Sequence, residues 1–181
     1  MTLGDLDNTL EPLIQDIYWA EKTLDKEDNQ FTRRAYIRSL FSTIEGSVWV
    51  LKKTLLHIAV HEGHIKNLSI AEFALLSDLT YDLKNNGEPK EQEKHLKLPQ
   101  NIKFAFNTFG KYFKIKFNLQ IGEADWDYFL DAQKIRNRIA HPKTPKSFEI
   151  TDSEIEICKN ASSWFLNLLL ALYKGLVLDK H

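Results

Sequence analysis

Residues 31–61 run for nearly nine helical turns, at about 3.6 residues each, without a proline. Along them Ile37, Leu40, Phe41, Ile44, Val48, Leu51, Leu55 and Ile58 recur mostly at steps of three and four. That is one stripe on a period of 3.6, and it fits no half-buried strand. A helix this long with a single apolar stripe must be covered by other helices. Only 7 Gly and 5 Pro interrupt the 181 residues, so the rest of the chain also favours long helices.

Five further helices follow from the same reading. Leu13, Ile17, Ala20 and Leu24 mark one over residues 10–24, ended by the polar run Asp25-Lys26-Glu27-Asp28-Asn29. Gly63 is the expected stop of the long helix. Ser69 and Glu72 form a capping-box pattern that starts a helix ending near Asn85-Asn86-Gly87. Residues 88–99 are charged and poor in apolar groups, which predicts a loop. From Pro99, the spacing of Ile102, Phe106, Phe109 and Phe113 predicts an aromatic-rich helix with Gly110 as its weak point. Residues 125–140 form another, stopped by Pro142. Residues 147–150 alternate and are expected to be extended. A last helix spans residues 152–177, with Thr151 and Glu154 as its capping pair. The expected architecture is an all-α helical bundle of five to six helices, in a single domain over residues 1–181.

Lys and Arg number 24 against 25 Asp and Glu, a net charge of -1. A generic polycation that coats nucleic acid is thereby excluded, but a local basic patch is not. The one cysteine, Cys158, cannot form an internal disulfide, which points to a reducing compartment such as the cytoplasm. The start, Met1-Thr2-Leu3-Gly4-Asp5, lacks the basic and apolar run of a signal peptide. The most apolar stretch, residues 164–172, is too short to span a bilayer and reads as a buried helix, so no membrane partner is expected.

The informative segment is Arg136-Asn137-Arg138-Ile139-Ala140-His141-Pro142. On a continuous helix Arg136 and His141 would point about 140° apart. Pro142 disfavours helical backbone at His141, so the helix should end near Ala140 and His141 can swing toward Arg136. Around this helix Tyr128, Ala132, Ile135 and Ile139 form one apolar stripe. Trp126 and Leu130 lie nearly opposite, and Arg136 falls between the two sides beside Phe129. A helix with two apolar sides is expected to pack against two things, the bundle and either more of the chain or a second subunit. The plain structural alternative is a helix end that attracts Arg and His through its macrodipole.

This segment resembles the Arg-x4-His signature of the HEPN superfamily, whose fold is an all-α bundle with the motif late in the chain. In that family a polar residue commonly follows the arginine, here Asn137, and Ala-His-Pro endings are frequent. The resemblance implies metal-independent endoribonuclease activity at a homodimer interface, with no cofactor. Many such proteins look like toxins or defence nucleases, and an antitoxin or a nucleotidyltransferase is the partner that would fit. RNA brings its own nucleophile, the 2′-OH. His141, titrating near neutrality, suits proton transfer. Arg136 offers a planar fork of donors to a phosphorane. Asn137 would orient His141 or the phosphate. Arg34, Arg38, Arg138 and Lys143 are the basic groups expected to contact RNA. HEPN-like proteins often carry a polar residue on an early helix near the motif, and Glu45 is the candidate. The other reading keeps the bundle as a non-catalytic module that dimerises and binds nucleotide, RNA or a partner.

Other features weigh less. Arg34, Arg38, Glu45 and Lys52 share one edge of the long helix, near Trp49; each alone also fits a solvated edge. Gly46 inside that helix costs on the order of 1 kcal/mol and is expected to mark a close approach by another helix. His57, His61 and His64 are spaced by four and three. They fall opposite the apolar stripe, so an exposed helix end is the better reading than a zinc site. Phe104, Phe106, Phe109, Tyr112 and Phe113 alternate with Lys103, Lys111, Lys114 and Lys116. Stacking on RNA bases is one use of such a face, but Phe106, Phe109 and Phe113 are expected in the core. The C-terminal helix is apolar nearly all round, which suits either a central helix or a subunit interface.

Overall fold

A computed structural model describes residues 2–61, 65–116, 118–119 and 121–178. Among these, six α-helices and one small hairpin make an all-α helical fold. They are α1 (Leu3–Lys26), α2 (Gln30–His61), α3 (Ile70–Leu76), β1 (Leu79–Leu83), β2 (Pro89–Glu93), α4 (Leu98–Phe113), α5 (Ala124–Ala140) and α6 (Asp152–Leu178). Gly63 and His64 lie outside the described residues. No described helix is long and apolar enough to cross a membrane.

The chain divides into two compact units. The first joins Met1–Thr9 to Val48–Ile115. Leu51, Leu55, Ile102, Phe106 and Phe109 are among its buried residues. Phe113, half-buried, lies 4.7 Å from Phe109 between ring centroids. At the start of α3 the capping box forms as the sequence predicts, with Ser69 Oγ accepting from the Glu72 amide and Glu72 accepting from the Ser69 amide. Lys111 also pairs with Glu72, at 2.8 Å.

The helix that follows is much shorter than expected. It ends at Leu76, because Asp78 turns into the left-handed region with φ 58°. An antiparallel hairpin takes the place of the predicted helix end and loop, with Leu79 opposite Glu93 and Leu83 opposite Pro89. Asn85-Asn86-Gly87 is its turn rather than a helix stop, with Gly87 at φ 80°, and strands joined by so short a loop need such residues.

Asp78 is fixed from α2. Its carboxylate bonds the ammonium of Lys52, which is 1% exposed, and takes Lys53 at 3.2 Å. Lys52 is therefore not on a solvated edge: a buried ammonium is tenable only with a carboxylate against it.

The second unit joins Leu10–Ser47 to Lys116–His181. Here α5 packs along α6, with Trp126 and Phe129 at 5.5 and 5.3 Å from Trp164 between ring centroids. Trp126 thus belongs to the same buried arc as Phe129, Ala132, Ile135 and Ile139. The side expected to carry Trp126 and Leu130 is continuous with that arc at Trp126, which stands about 60° from Phe129 around a helix, and Leu130 is half-buried. Phe165, Leu168, Leu169 and Leu172 of α6 are buried, while Leu170 and Val177 are exposed. Gly46 does mark a close approach: a Cβ there would stand 2.8 Å from Leu13 Cδ1 of α1. Of the stretch 147–150 expected to be extended, residues 147 and 148 instead close a 3-10 turn over Pro145–Phe148, with Thr144 and Ser147 as its capping box, while Glu149 is extended. Thr151 and Glu154 cap α6 as expected.

Two outcomes follow. Asp78→Ala strands the Lys52 charge and should lower unfolding free energy by about 3 kcal/mol, measured in urea, whereas Lys52→Met should cost less. Burial pushes the Cys158 thiol up to about 12. It should resist a thiol reagent at pH 8 in the folded protein and react on unfolding.

Candidate functional site

At 100° per residue, Arg136 falls in the middle of the buried arc of α5, between Phe129 and Ala132. A guanidinium placed there is partly desolvated, and its side chain is 24% exposed. That burial pulls its pKa below the ordinary arginine value. Two groups on α2 make the position tenable. The Glu45 carboxylate pairs with Nη2 of Arg136. The Phe41 ring lies against the guanidinium, its centroid 5.1 Å from Cζ. Phe41 and Glu45 are four residues apart, so one face of α2 presents both. Asn137 Oδ1 accepts from Nη1 of Arg136 at 3.2 Å. A carboxylate in contact favours the charged form, so Arg136 stays a cation. Glu45 is 48% exposed, which leaves one side of the pair open to solvent.

The end of α5 is as expected. Ala140 is its last residue, and His141 has φ −126° and ψ 65°, outside the helical region. Its amide still donates to the Asn137 carbonyl at 3.0 Å. Pro142 supplies the cause, since its ring crowds a helical His141. The His141 side chain is exposed. Among the described residues the imidazole enters no hydrogen bond or ion pair, with Arg136 or any other group.

The segment behind His141 is tied down at several points. Arg138 donates to the Glu149 carbonyl at 3.0 Å and pairs with Glu154 at 2.9 Å. Gln30 exchanges two hydrogen bonds with the Ile150 backbone, at 2.9 and 2.8 Å. Arg33 donates to the same carbonyl at 2.8 Å and also bonds Asp28 and Asp152. Arg34 donates to the Phe148 carbonyl at 3.1 Å and lies over its ring. Arg34 and Arg138 are therefore held by protein groups. Arg38 and Lys143 are exposed.

The structure thus gathers Arg136, Asn137 and Glu45 and adds Phe41, which the sequence places only in the core stripe. The spacing from Phe41 to Glu45 is the signal that links them. His57 and His61 stack at 4.1 Å between ring centroids, with His57 half-buried rather than exposed; His64 lies outside the described residues. No group of three His, Cys, Asp or Glu side chains among the described residues is placed to hold a metal ion.

Comparison with family models, curated proteins and solved structures finds no match to this chain.

Removing the carboxylate leaves a partly buried guanidinium unpaired. Glu45→Ala is expected to lower stability by about 1 kcal/mol in urea unfolding, and Glu45→Gln by less. A double-mutant cycle of Phe41→Leu with Arg136→Met should return a coupling of about 0.5–1 kcal/mol.

Proposed function

We propose that the protein is a metal-independent endoribonuclease of HEPN type, working as a homodimer in the cytoplasm. The observation that carries this reading is a guanidinium held on α5 by Glu45 and Phe41, five residues before an exposed imidazole that follows the helix end and precedes Pro142. The Arg-x4-His resemblance supplies the reaction class. Arg136 has five N–H donors. Bonding Glu45 and Asn137 leaves others for the oxygens of an RNA phosphate.

In this reading His141 removes the proton from the 2′-OH, whose oxygen attacks the adjacent phosphorus. Arg136 stabilises the charge on the phosphorane. His141 of the partner subunit gives a proton to the departing 5′-oxygen. The products are a 2′,3′-cyclic phosphate and a 5′-hydroxyl. Arg38 and Lys143, exposed, are free to contact flanking phosphates. Arg34 and Arg138 act mainly by fixing the loop that follows His141. An antitoxin or a nucleotidyltransferase would be the protein partner.

A second reading makes the same residues a non-catalytic dimerisation module that binds nucleotide, RNA or a partner. It is favoured by one observation: Glu45, and not His141, bonds the Arg136 guanidinium. Turnover separates the two. His141→Ala should lower RNA cleavage at pH 7 by about 10²–10⁴-fold. Arg136→Ala should do likewise, both with unchanged circular dichroism. Cleavage should persist in EDTA and leave cyclic-phosphate ends detectable by mass spectrometry. Folded dimer that binds RNA and leaves it intact between pH 6 and 8 would establish the second reading instead.

A further inference from the structure

The guanidinium assigned to the phosphate already touches an anion of the chain itself. Glu45 on α2 bonds Nη2 of Arg136, and both side chains keep part of their surface in solvent. An anion that reaches Arg136 from solvent therefore comes to rest close to a carboxylate, where like charges repel appreciably. We propose that Glu45 determines which phosphates Arg136 holds. It lets Arg136 take the singly charged phosphate that links two nucleotides, and it removes the advantage of the doubly charged phosphate of a strand end, a free nucleotide or a sugar phosphate. This inference rests on the reading of Arg136 as a phosphate-binding group, and it names the kind of phosphate.

Three observations carry it. The charges of the site cancel. Besides Glu45, the groups against the guanidinium are the Asn137 amide at 3.2 Å and the Phe41 ring, and neither is charged. No second cation offsets the carboxylate. Among the described residues Glu45 pairs with Arg136 alone. Arg34 is turned to the Phe148 carbonyl, and Arg138 to Glu149 and Glu154. Arg38, exposed on the same face of α2, is seven residues from Glu45, about 10 Å along a helix, and salt screens exposed charges at that distance. Finally, the carboxylate need not leave when a ligand arrives. Glu45 and Asn137 occupy donors on Nη2 and Nη1. A guanidinium has five donors, so a phosphate oxygen can bond another without displacing Glu45.

The selection follows from Coulomb's law. The attraction of Arg136 and the repulsion of Glu45 both grow in proportion to the charge of the ligand. A phosphodiester carries a single negative charge, and a phosphate monoester about 1.5–2 near pH 7. An arginine alone would thus favour the monoester. With a carboxylate beside it the two increases offset each other, and the monoester gains little over the diester. A site that must hold the inside of a strand is then not occupied by nucleotides and strand ends.

A competition assay tests this. The probe is a labelled hexanucleotide with 2′-O-methyl sugars and no terminal phosphate, which carries diesters only and lacks the attacking hydroxyl. Its binding is followed by fluorescence anisotropy at constant ionic strength, while ribose 5-phosphate, a monoester, or dimethyl phosphate, a diester, is added. Wild type should bind the probe and release it at similar concentrations of the two competitors. In Glu45→Gln, ribose 5-phosphate should compete about tenfold better than in wild type and dimethyl phosphate about threefold, since the gain in free energy scales with the charge. Glu45→Asp keeps the charge, and Glu149→Gln removes one from an exposed side chain elsewhere; both should behave as wild type. Adding Arg136→Met to Glu45→Gln should cancel the gain. Equal gains for the two competitors, no gain in Glu45→Gln, a gain that survives Arg136→Met, or a wild type that does not bind the probe would each overturn the proposal. Cleavage of unmodified RNA is read separately. Wild type that shows the expected competition and leaves RNA intact keeps this role for Glu45 and loses the nuclease. Wild type that cuts RNA, with no gain in Glu45→Gln, keeps the nuclease and loses this role.

Discussion

The second unit depends on a cation placed where an apolar side chain would be the simpler choice. Arg136 sits in the middle of the buried arc of α5, and such a position demands a carboxylate opposite it. Glu45 meets that demand from α2, and Phe41 covers the flat face of the guanidinium. The pair therefore ties α2 to α5 at this point. The same two turns of α2 also receive α1. Thr43 donates to the Leu13 carbonyl at 2.8 Å, and Gly46 leaves room for the Leu13 side chain. One short stretch, residues 41–46, thus serves a polar contact on one side and a close apolar contact on the other. A side chain at Gly46 would push Leu13 away and disturb the turn that carries Glu45.

The end of α5 is set locally. With Arg136 fixed, Ala140 and His141 come next along the helix, and Pro142 ends it. The backbone beyond is anchored by Arg138, Gln30 and Arg33 at residues 149–152. Among the described residues the His141 imidazole itself bonds nothing.

Much of this was legible in the sequence because helices report themselves locally. The period of α2, the Ser69–Glu72 capping box and the Pro142 stop all act within a turn or two of the chain, and all appear in the structure. Glu45 was legible as a candidate through family resemblance, and the structure shows it against Arg136. The hairpin was not legible. Every residue of β2 is exposed, so neither strand shows the alternation that marks a half-buried sheet. Lys52 reads from the sequence as an edge residue because its partner, Asp78, lies 26 residues on, beyond any helical spacing. Trp126 falls outside the stripe of Tyr128, Ala132, Ile135 and Ile139 because that stripe covers only one side of the buried arc, which runs on through Phe129 to Trp126. Tyr128 is half-buried, and the centre lies nearer Ala132.

Lys52 and Arg136 meet the same problem, a cation set against apolar neighbours, in two different ways. Lys52 has one compact ammonium, closed off from solvent, and Asp78 occupies it. Its charge ends the matter there, holding the turn from α3 into β1. Arg136 spreads its charge over a fork of five donors. Glu45 and Asn137 each bond one end of that fork, and the side chain keeps partial access to solvent. A ligand anion can add to the second arrangement without breaking it, whereas it could reach the first only by displacing Asp78. Of these two cations, Arg136 is therefore the one that a ligand anion could reach.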